Sequence, residues 1–381
     1  MAKALIITSV ASMVQQFLLP NIVLLQEIGY EVQVACNFKN GNTCSLERVE
    51  ELKQILKCYG VAFHQIDFER NVFQLSGNRR AYRQITDLIS KEEFDLIHCH
   101  SPIGGLLGRL ASRRSRKAGT KVFYTAHGFH FYKGAPLKNW LFYYPVEKLC
   151  SYFTDVLITI NHEDYTLAKK KMKAKRTEYI PGVGIDLDKF SSVQIDKAAK
   201  RNEIGIPEEA FLLLSVGEVN ENKNHQIVVR ALAKLNNPKI HYAIAGIGDQ
   251  KENLLALANE LNISDRVHLL GYRSDIAELN HISDAFCFPS MREGLGLAAI
   301  EAMACGIPVI AADNRGTRTF VLNGQNGYLC ANDSDEEFAT AIDLLINDCQ
   351  LRKSLSDEAT NTATHFSRNV IVKEMRKFYF D

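Results

Sequence analysis

The sequence reads Pro289-Ser290-Met291-Arg292-Glu293-Gly294-Leu295-Gly296-Leu297 directly after a short apolar run, and Glu301 follows in an Ala-rich segment. This order predicts a buried strand, a glycine-containing loop and the start of a helix. Such a loop binds phosphate groups, because the N–H groups at a helix start are unpaired and the helix dipole favours negative charge there. Eight residues of helix rise about 12 Å, so the two glutamates suit hydroxyl groups at opposite ends of a sugar nucleotide. The stretch therefore indicates an enzyme that handles an activated sugar.

The rest of the chain alternates short β-branched runs with helical patterns. This alternation predicts an α/β fold with doubly wound parallel sheets. A seam rich in Gly at residues 181–186 separates two such halves, so we expect two Rossmann-like domains facing across a cleft. The expected boundaries are 1–190 and 191–366, with a C-terminal helix at 367–381 that packs back on the first domain. Ligands of such sheets bind at the carboxyl ends of the strands.

Composition excludes several classes of protein. A net charge of +1 over 381 residues argues against nucleic-acid binding as the main function. The nine cysteines are scattered and form no C-x-x-C pair, which is typical of reduced cysteines in a cytoplasmic protein. No run of 18 apolar residues occurs, so we expect no membrane-spanning helix.

Three more strand-end loops carry candidate binding residues. Gly217 precedes Lys223, which we place in the first turn of a helix capped by Asn222; a lysine there is unfavourable unless an anion lies nearby. The Gly246-x-Gly248 pair is weak evidence, because tight turns commonly need glycine. Tyr272-Arg273 could present an arginine to a phosphate. Neither half contains the G-x-G-x-x-G pattern of a dinucleotide site.

Metal binding is not expected from the residues. Two D-x-D patterns, at 186–188 and 333–335, are interpreted as interdomain-seam and helix-cap sequences. His98-Cys99-His100 alternates along a strand without an evident third ligand, although His100 could line the cleft.

A family resemblance rests on a set of motifs in the second half. The motifs are Gly246-x-Gly248, Gly271-Tyr272, Pro289-Ser290-x-x-Glu293-Gly294-x-Gly296, Glu301-Ala302-Met303-Ala304-x-Gly306-x-Pro308-Val309 and Asn326-Gly327. Over roughly residues 210–330 the chain resembles glycosyltransferase family 4, which has the GT-B fold. The first half matches more loosely, through residues 125–128 and 182–186. The resemblance is greatest to the EpsD/CapM-type members, which build bacterial exopolysaccharide and capsule.

The resemblance implies roles for individual residues. Glu293 would contact the donor sugar hydroxyls, Glu301 the ribose hydroxyls and Lys223 the diphosphate, while His127 in the acceptor-side first domain would face the reaction centre. The full set of implied catalytic and donor-binding residues is His127, Gly217, Lys223, Gly246, Gly248, Tyr272, Arg273, Arg292, Glu293, Gly294, Leu295, Gly296 and Glu301. The donor would be a UDP-sugar, N-acetylhexosamines included, and transfer would retain the anomeric configuration without a metal or other cofactor. One departure is Glu218, where the family usually has arginine, so Lys223, Arg273 or Arg292 would carry more of the phosphate charge.

A membrane partner is suggested by aromatic and basic residues in the first half. Residues 128–148 are dense in aromatics with interspersed lysines, and basic runs lie at 113–117 and 169–176. Such a surface suits attachment to an anionic bilayer, although the aromatics could instead belong to the core. We expect a cytoplasmic enzyme on the inner face of the plasma membrane, with an undecaprenyl-diphosphate-linked saccharide as acceptor.

Two alternatives remain open from the sequence. A sugar-nucleotide 2-epimerase on the same fold would act on the nucleotide sugar alone. The second alternative is a non-catalytic sugar-nucleotide-binding component of a synthesis complex. It stays open because Glu218 replaces an arginine that the family usually has at this position.

Overall fold

The computed structural model describes residues 1–42, 44–69 and 74–380. The chain divides into two compact units, one formed by residues 1–184 with 369–381 and the other by residues 185–368. Over the described residues, each unit contains one parallel sheet with helices packed against it. The α/β fold with two Rossmann-like sheets is therefore confirmed.

The sheet of the first unit has seven strands in the order β3-β2-β1-β4-β5-β6-β7. Its strands are β1 (Ala2–Val10), β2 (Tyr30–Asn37), β3 (Ala62–Gln65), β4 (Leu96–His100), β5 (Lys121–Ala126), β6 (Val156–Thr159) and β7 (Arg176–Tyr179). Every residue of β4 is buried, as expected for a central strand that is covered by helices on both faces.

Helices of the first unit connect these strands and cover the sheet. They are α1 (Ala11–Met13), a π-helical turn (Val14–Leu18), α2 (Leu19–Glu27), α3 (Leu46–Cys58), α4 (Leu75–Glu92), α5 (Pro102–Ala111), α6 (Arg113–Lys117), α7 (Leu137–Ser151) and α8 (His162–Lys171). Ser45 and Asn161 cap α3 and α8 by accepting backbone N–H groups of Arg48 and Asp164, which satisfies donors that a helix start leaves unpaired.

The sheet of the second unit has six strands in the order β10-β9-β8-β11-β12-β13. They are β8 (Phe211–Val216), β9 (Ile240–Ala245), β10 (Val267–Gly271), β11 (Ala285–Phe288), β12 (Val309–Ala312) and β13 (Gly327–Cys330). Both sheets reverse their strand order at the first strand, between β1 and β4 and between β8 and β11. Loops at such reversal points diverge and leave room for a ligand.

Helices of the second unit are mostly short. They are α9 (Leu187–Ser191), α10 (Lys197–Glu203), a 3₁₀ turn (Glu221–Lys223), α11 (His225–Leu235), α12 (Lys251–Glu260), a 3₁₀ turn (Ser264–Arg266), α13 (Ile276–His281), α14 (Leu297–Ala304), a 3₁₀ turn (Thr317–Thr319), α15 (Asp335–Asn347) and α16 (Cys349–Thr364). The last helix, α17 (Arg368–Phe380), belongs to the first unit from residue 369 onward.

Both D-x-D patterns lie at the start of a helix. Asp186 accepts the N–H of Lys189 at the start of α9, and its carboxylate also pairs with Arg368 at 3.2 Å. Ser334, inside the second pattern, caps α15 by accepting the N–H of Glu337. The helix-cap interpretation of residues 333–335 is therefore confirmed.

Candidate functional site

The loops after β8 and β11 meet at the reversal point of the second sheet. The backbone N–H of Met291 donates to the carbonyl of Asn222 at 2.8 Å, and the Asn222 amide donates to the carbonyl of Arg292 at 3.1 Å. The Lys223 ammonium donates to the Glu293 carboxylate at 2.6 Å. Three hydrogen bonds therefore join two segments that lie about seventy residues apart in sequence.

Lys223 and Glu293 form a partly buried ion pair at this junction. Their side chains keep 21% and 17% of their exposure, and the ammonium lies 5.1 Å from the centre of the Phe288 ring. The expected cap at Asn222 is wrong: the Asn220 carboxamide accepts the N–H of Lys223 at 3.0 Å and caps a 3₁₀ turn, and α11 begins only at His225. Asn222 is instead used to bind the neighbouring loop.

Close backbone packing explains the glycines of the loops after β8 and β9. A Cβ at Gly246 would lie 1.7 Å from the carbonyl oxygen of Gly217, and one at Gly248 would lie 2.1 Å from that of Val219. The two loops are also joined by hydrogen bonds from Gly217 to Ala245 and from Val219 to Ile247. Because glycine alone permits this approach, the G-x-G pair supports the loop that carries Lys223.

Glu293 lies in the loop before α14 and not on the helix. Gly296, at φ 114°, precedes the first helical residue, Leu297. A side chain at Gly296 would also collide with the Phe288 ring at 2.7 Å. The separation of Glu293 and Glu301 estimated from helical rise is therefore wrong, because only Leu297 to Glu301 is helical. The N-cap residue of α14, Gly296, has no side chain that could cap the first turn, so this helix start keeps the anion-binding character expected from the sequence.

Glu301 lies on α14 and is partly buried. Burial raises its pKa to about 7, and the Lys189 ammonium offsets part of that rise. A carboxyl group with this pKa changes charge near neutral pH, so its capacity to accept hydroxyl hydrogen bonds depends on pH.

The other candidate cations of this unit differ in their surroundings. The Arg273 guanidinium already pairs with Glu203 at 2.7 Å and with Asp275, which raises its pKa. Arg292 and Tyr272 are exposed. Glu218 is exposed as well and accepts a hydrogen bond from the Asn220 amide at 2.8 Å. Lys223 therefore reaches the Glu293 loop from the loop after β8, and Arg292 belongs to the Glu293 loop itself.

Three histidines form a cluster at the carboxyl ends of β4 and β5 in the first unit. The His98 and His100 rings lie 4.1 Å apart, and Nδ1 of His100 lies 3.2 Å from Nε2 of His127. His98 bonds to the Tyr379 hydroxyl of α17 at 2.7 Å and to Thr125 at 2.8 Å. Burial lowers the pKa of His98 to about 3 and that of His127 to about 4, and it lowers the pKa of His100 well below its usual value. The cluster is therefore uncharged at neutral pH.

Comparison with known proteins assigns the family. The family profile described as "Glycosyl transferases group 1" matches residues 196–362, and "Glycosyl transferase 4-like" matches residues 7–161. The chain is 39% identical to EpsD of Bacillus subtilis (strain 168), a protein named as a glycosyltransferase, over 95% of this chain and 92% of that protein. The chain belongs to the family 4 glycosyltransferases.

Two further similarities extend the assignment. The glycosyltransferase is 29% identical to the UDP-Gal:α-D-GlcNAc-diphosphoundecaprenol α-1,3-galactosyltransferase of Escherichia coli, with 77% of each chain covered. The crystal structure of Anabaena HepE in complex with UDP and glucose superposes with a TM-score of 0.80 at 20% identity, covering both chains completely. The fold is therefore GT-B and the chain is an enzyme.

The aromatic segment of the glycosyltransferase is arranged differently from the expected membrane surface. Phe129 and Phe131 are buried in the core of the first unit, and Trp140, Tyr143 and Tyr144 pack against that core. These aromatics therefore do not form an outward-facing surface. The exposed apolar side chains of this region lie on the opposite face of α7.

One supporting loop of the glycosyltransferase was not singled out from the sequence. Residues 313–319 follow β12, and their buried Asn314 and Arg315 side chains donate to the carbonyls of Ser290 and Glu293. An arginine in the loop directly after an apolar strand would have been the signal, because ligands of such sheets bind at the carboxyl ends of the strands.

Proposed function

We propose that the enzyme transfers a sugar from a UDP-linked donor to a saccharide on undecaprenyl diphosphate, with retention of anomeric configuration and without a metal, in exopolysaccharide or capsule synthesis. Galactose and N-acetylhexosamines are the candidate sugars. The observation that carries the proposal is the Lys223–Glu293 pair at the reversal point of the second sheet.

The chemistry follows from where charge develops. When the sugar leaves, negative charge grows on the β-phosphate, and fixed donors and cations aimed at that oxygen stabilise the transition state. The Lys223 ammonium and the uncapped start of α14 supply both kinds of group from adjacent loops. The Lys223 ammonium holds the carboxylate of Glu293. We therefore assign Glu293 to binding the hydroxyl groups of the donor sugar. The acceptor would then attack the sugar from the face on which the leaving group departs.

The acceptor proposal is supported by the Escherichia coli relative, whose name specifies a UDP-sugar donor and a diphosphoundecaprenol acceptor. A lipid-linked acceptor requires the enzyme to work at a bilayer surface. We propose that a surface of the first unit makes this contact.

That surface is the outward face of α7. Its exposed apolar residues repeat at helical spacing and cover about half of the helix circumference. They are Leu137, Leu141, Phe142, Val146, Leu149 and the adjoining Tyr152. On the inward face, Glu147 pairs at 2.7 Å with Arg109, a fully buried arginine, and this pair fixes α7 to α5.

Basic residues adjoin the C-terminal end of α7. The Arg113 guanidinium lies 5.4 Å from the Phe153 ring centre, Arg116 donates to the carbonyl of Tyr152, and the N–H of Lys173 donates to Ser151. Exposed cations in these neighbouring segments are Arg113, Arg114, Lys117, Lys169, Lys170, Lys171, Lys173 and Lys175. An apolar helix face beside such cations suits an anionic bilayer. None of the helices in the described part of the chain combines the length and apolar character that a membrane crossing requires.

A donor and acceptor screen tests the proposed reaction. UDP-hexoses and UDP-N-acetylhexosamines are incubated with undecaprenyl-diphosphate-linked saccharides, and UDP release, product mass and the anomeric NMR coupling are measured with and without EDTA. We expect a lipid-linked product of retained configuration in both arms. Loss of turnover with EDTA would contradict metal independence, and conversion of the donor without acceptor would identify the epimerase alternative.

Vesicle sedimentation tests the membrane surface. Phosphatidylglycerol-containing vesicles should bind the enzyme, and vesicles of phosphatidylcholine alone should bind it weakly. Leu141→Glu with Phe142→Glu should lower binding at least about tenfold, because each side chain contributes roughly 1.5–3 kcal/mol when fully buried. Leu344→Glu, an exposed leucine of the second unit, is the matched control. Equal binding by both variants would show that α7 does not contact the bilayer.

A further inference from the structure

The loop after β12 packs against the loop that carries Glu293. The Asn314 carboxamide donates to the carbonyl of Ser290 at 2.9 Å and accepts the N–H groups of Gly316 and Thr317. A Cβ at Gly316 would lie 2.9 Å from both Cβ of Glu293 and the carbonyl oxygen of Leu295. The two loops therefore touch along most of the segment that carries Glu293.

Arg315 is a buried charged residue of the loop after β12. Only 5% of the residue is exposed, and its Nε donates to the carbonyl oxygen of Glu293 at 3.4 Å. Arg318, three positions later, is 48% exposed and pairs with the exposed Asp313. Burial removes the hydration of a guanidinium, and the groups that it faces must offset that free-energy cost. Placing an arginine beside Glu293 therefore costs desolvation free energy.

We propose that Arg315 is a positioning residue that acts through Glu293, an inference that rests on the proposed donor-sugar role of Glu293. In a planar trans peptide the C=O and the following N–H point in opposite directions. By holding the carbonyl of Glu293, the guanidinium sets the plane of the peptide to Gly294. The direction in which the Glu293 carboxylate leaves the backbone, toward Lys223, is set with it.

A double-mutant cycle tests this assignment. Arg315→Met should lower kcat/KM roughly tenfold to a hundredfold, the range expected when a reacting group is misplaced by about 1 Å. In a Glu293→Gln background the same substitution should change kcat/KM by less than about twofold, because a group that acts through Glu293 has nothing further to position. Equal losses in both backgrounds would overturn the proposal. Arg318→Met is the matched control and should behave as wild type.

Two further readouts separate positioning from folding and from the proposed reaction. Arg315→Lys keeps the charge but lacks the planar fork, so it should restore part of the activity that Arg315→Met loses. Amide hydrogen exchange of the free protein should be faster in residues 290–296 of Arg315→Met and unchanged in β9. Unchanged exchange at 290–296 would overturn the positioning role. Faster exchange in an enzyme that shows no transfer in the donor screen would place the error in the proposed function instead.

Discussion

The carboxyl ends of the two sheets carry opposite kinds of polar group. In the first unit they hold His98, His100 and His127, three histidines that burial keeps neutral. In the second unit they hold the Lys223–Glu293 ion pair and Glu301, whose pKa lies near 7. The carboxyl end of the first sheet therefore carries neutral hydrogen-bonding groups, and the carboxyl end of the second sheet carries charged groups. We call them the neutral end and the charged end. This division suits the proposed reaction, in which the donor carries a diphosphate and the acceptor presents a neutral hydroxyl.

The largest expected effect is at the charged end. Lys223→Met should reduce turnover about 10²–10³-fold, because removal of one fixed group that stabilises developing charge costs roughly 3–4 kcal/mol. Initial rates at saturating donor and the affinity for UDP by calorimetry measure this effect. Lys234→Met, at an exposed ion pair on α11, is the control. Near-normal turnover of a folded Lys223→Met enzyme would show that Lys223 does not stabilise the charge that develops on the leaving group.

The pH dependence of donor binding should come from Glu301. The family resemblance implies that Glu301 holds the ribose hydroxyls, which bond more strongly to a carboxylate than to a neutral carboxyl, and the pKa of Glu301 is about 7. The affinity for UDP should therefore be full well above pH 7 and fall roughly tenfold between pH 8 and pH 6, as the carboxylate takes up a proton. Calorimetric titrations of wild type and Glu301→Gln across this range check the sign. The same slope in Glu301→Gln would assign the proton to another group, UDP included.

The neutral end should show a smaller effect and no such slope. His127→Ala should lower kcat about fivefold, corresponding to one neutral hydrogen bond of about 1 kcal/mol, and should leave the affinity for UDP unchanged. Because burial lowers the pKa of all three histidines, the ratio of wild-type to variant rates should be constant from pH 5.5 to 9, which pH–rate profiles measure. His162→Ala, an exposed histidine stacked on Tyr179, is the control. A ratio that changes near pH 6.5 would show that His127 titrates in the working enzyme.

Local patterns were sufficient to predict both sheets and the loop at residues 289–297. The alternation of apolar runs with helical periodicity is written in consecutive residues, and so is the glycine pattern before α14. The partners of the site residues were not accessible in this way. Glu203 reaches Arg273, and Arg315 reaches Glu293, only after strands distant in sequence become neighbours. His100 and His127 likewise meet because β4 and β5 pair in a register that aligns His100 with Thr125.

The cap at Asn220 shows a different limit. Asn220 and Asn222 are equally good capping residues by type, so composition cannot choose between them. The choice is made by the loop after β11, which takes Asn222 for hydrogen bonds to Met291 and Arg292. The contact with the loop after β11 therefore determines which asparagine caps the 3₁₀ turn.

The smallest expected effect concerns Glu218, the negative charge on the loop that carries Lys223. Its side chain is exposed, so its repulsion of a diphosphate is weakened by solvent. Glu218→Gln should tighten UDP binding about threefold at low salt, in line with the few tenths to 1 kcal/mol of exposed charge interactions, and Glu218→Arg should tighten it further.

Both gains should shrink as ionic strength rises and the Debye length shortens. Glu209→Gln, an exposed glutamate that precedes β8 at the opposite end of that strand, removes the same charge away from the loop and should leave affinity unchanged. Calorimetric titrations of the three variants at two salt concentrations measure the difference. If Glu218→Gln and Glu209→Gln bind UDP alike at low salt, the diphosphate does not approach the loop after β8. The charged end would then consist of the α14 start and the Glu293 loop alone.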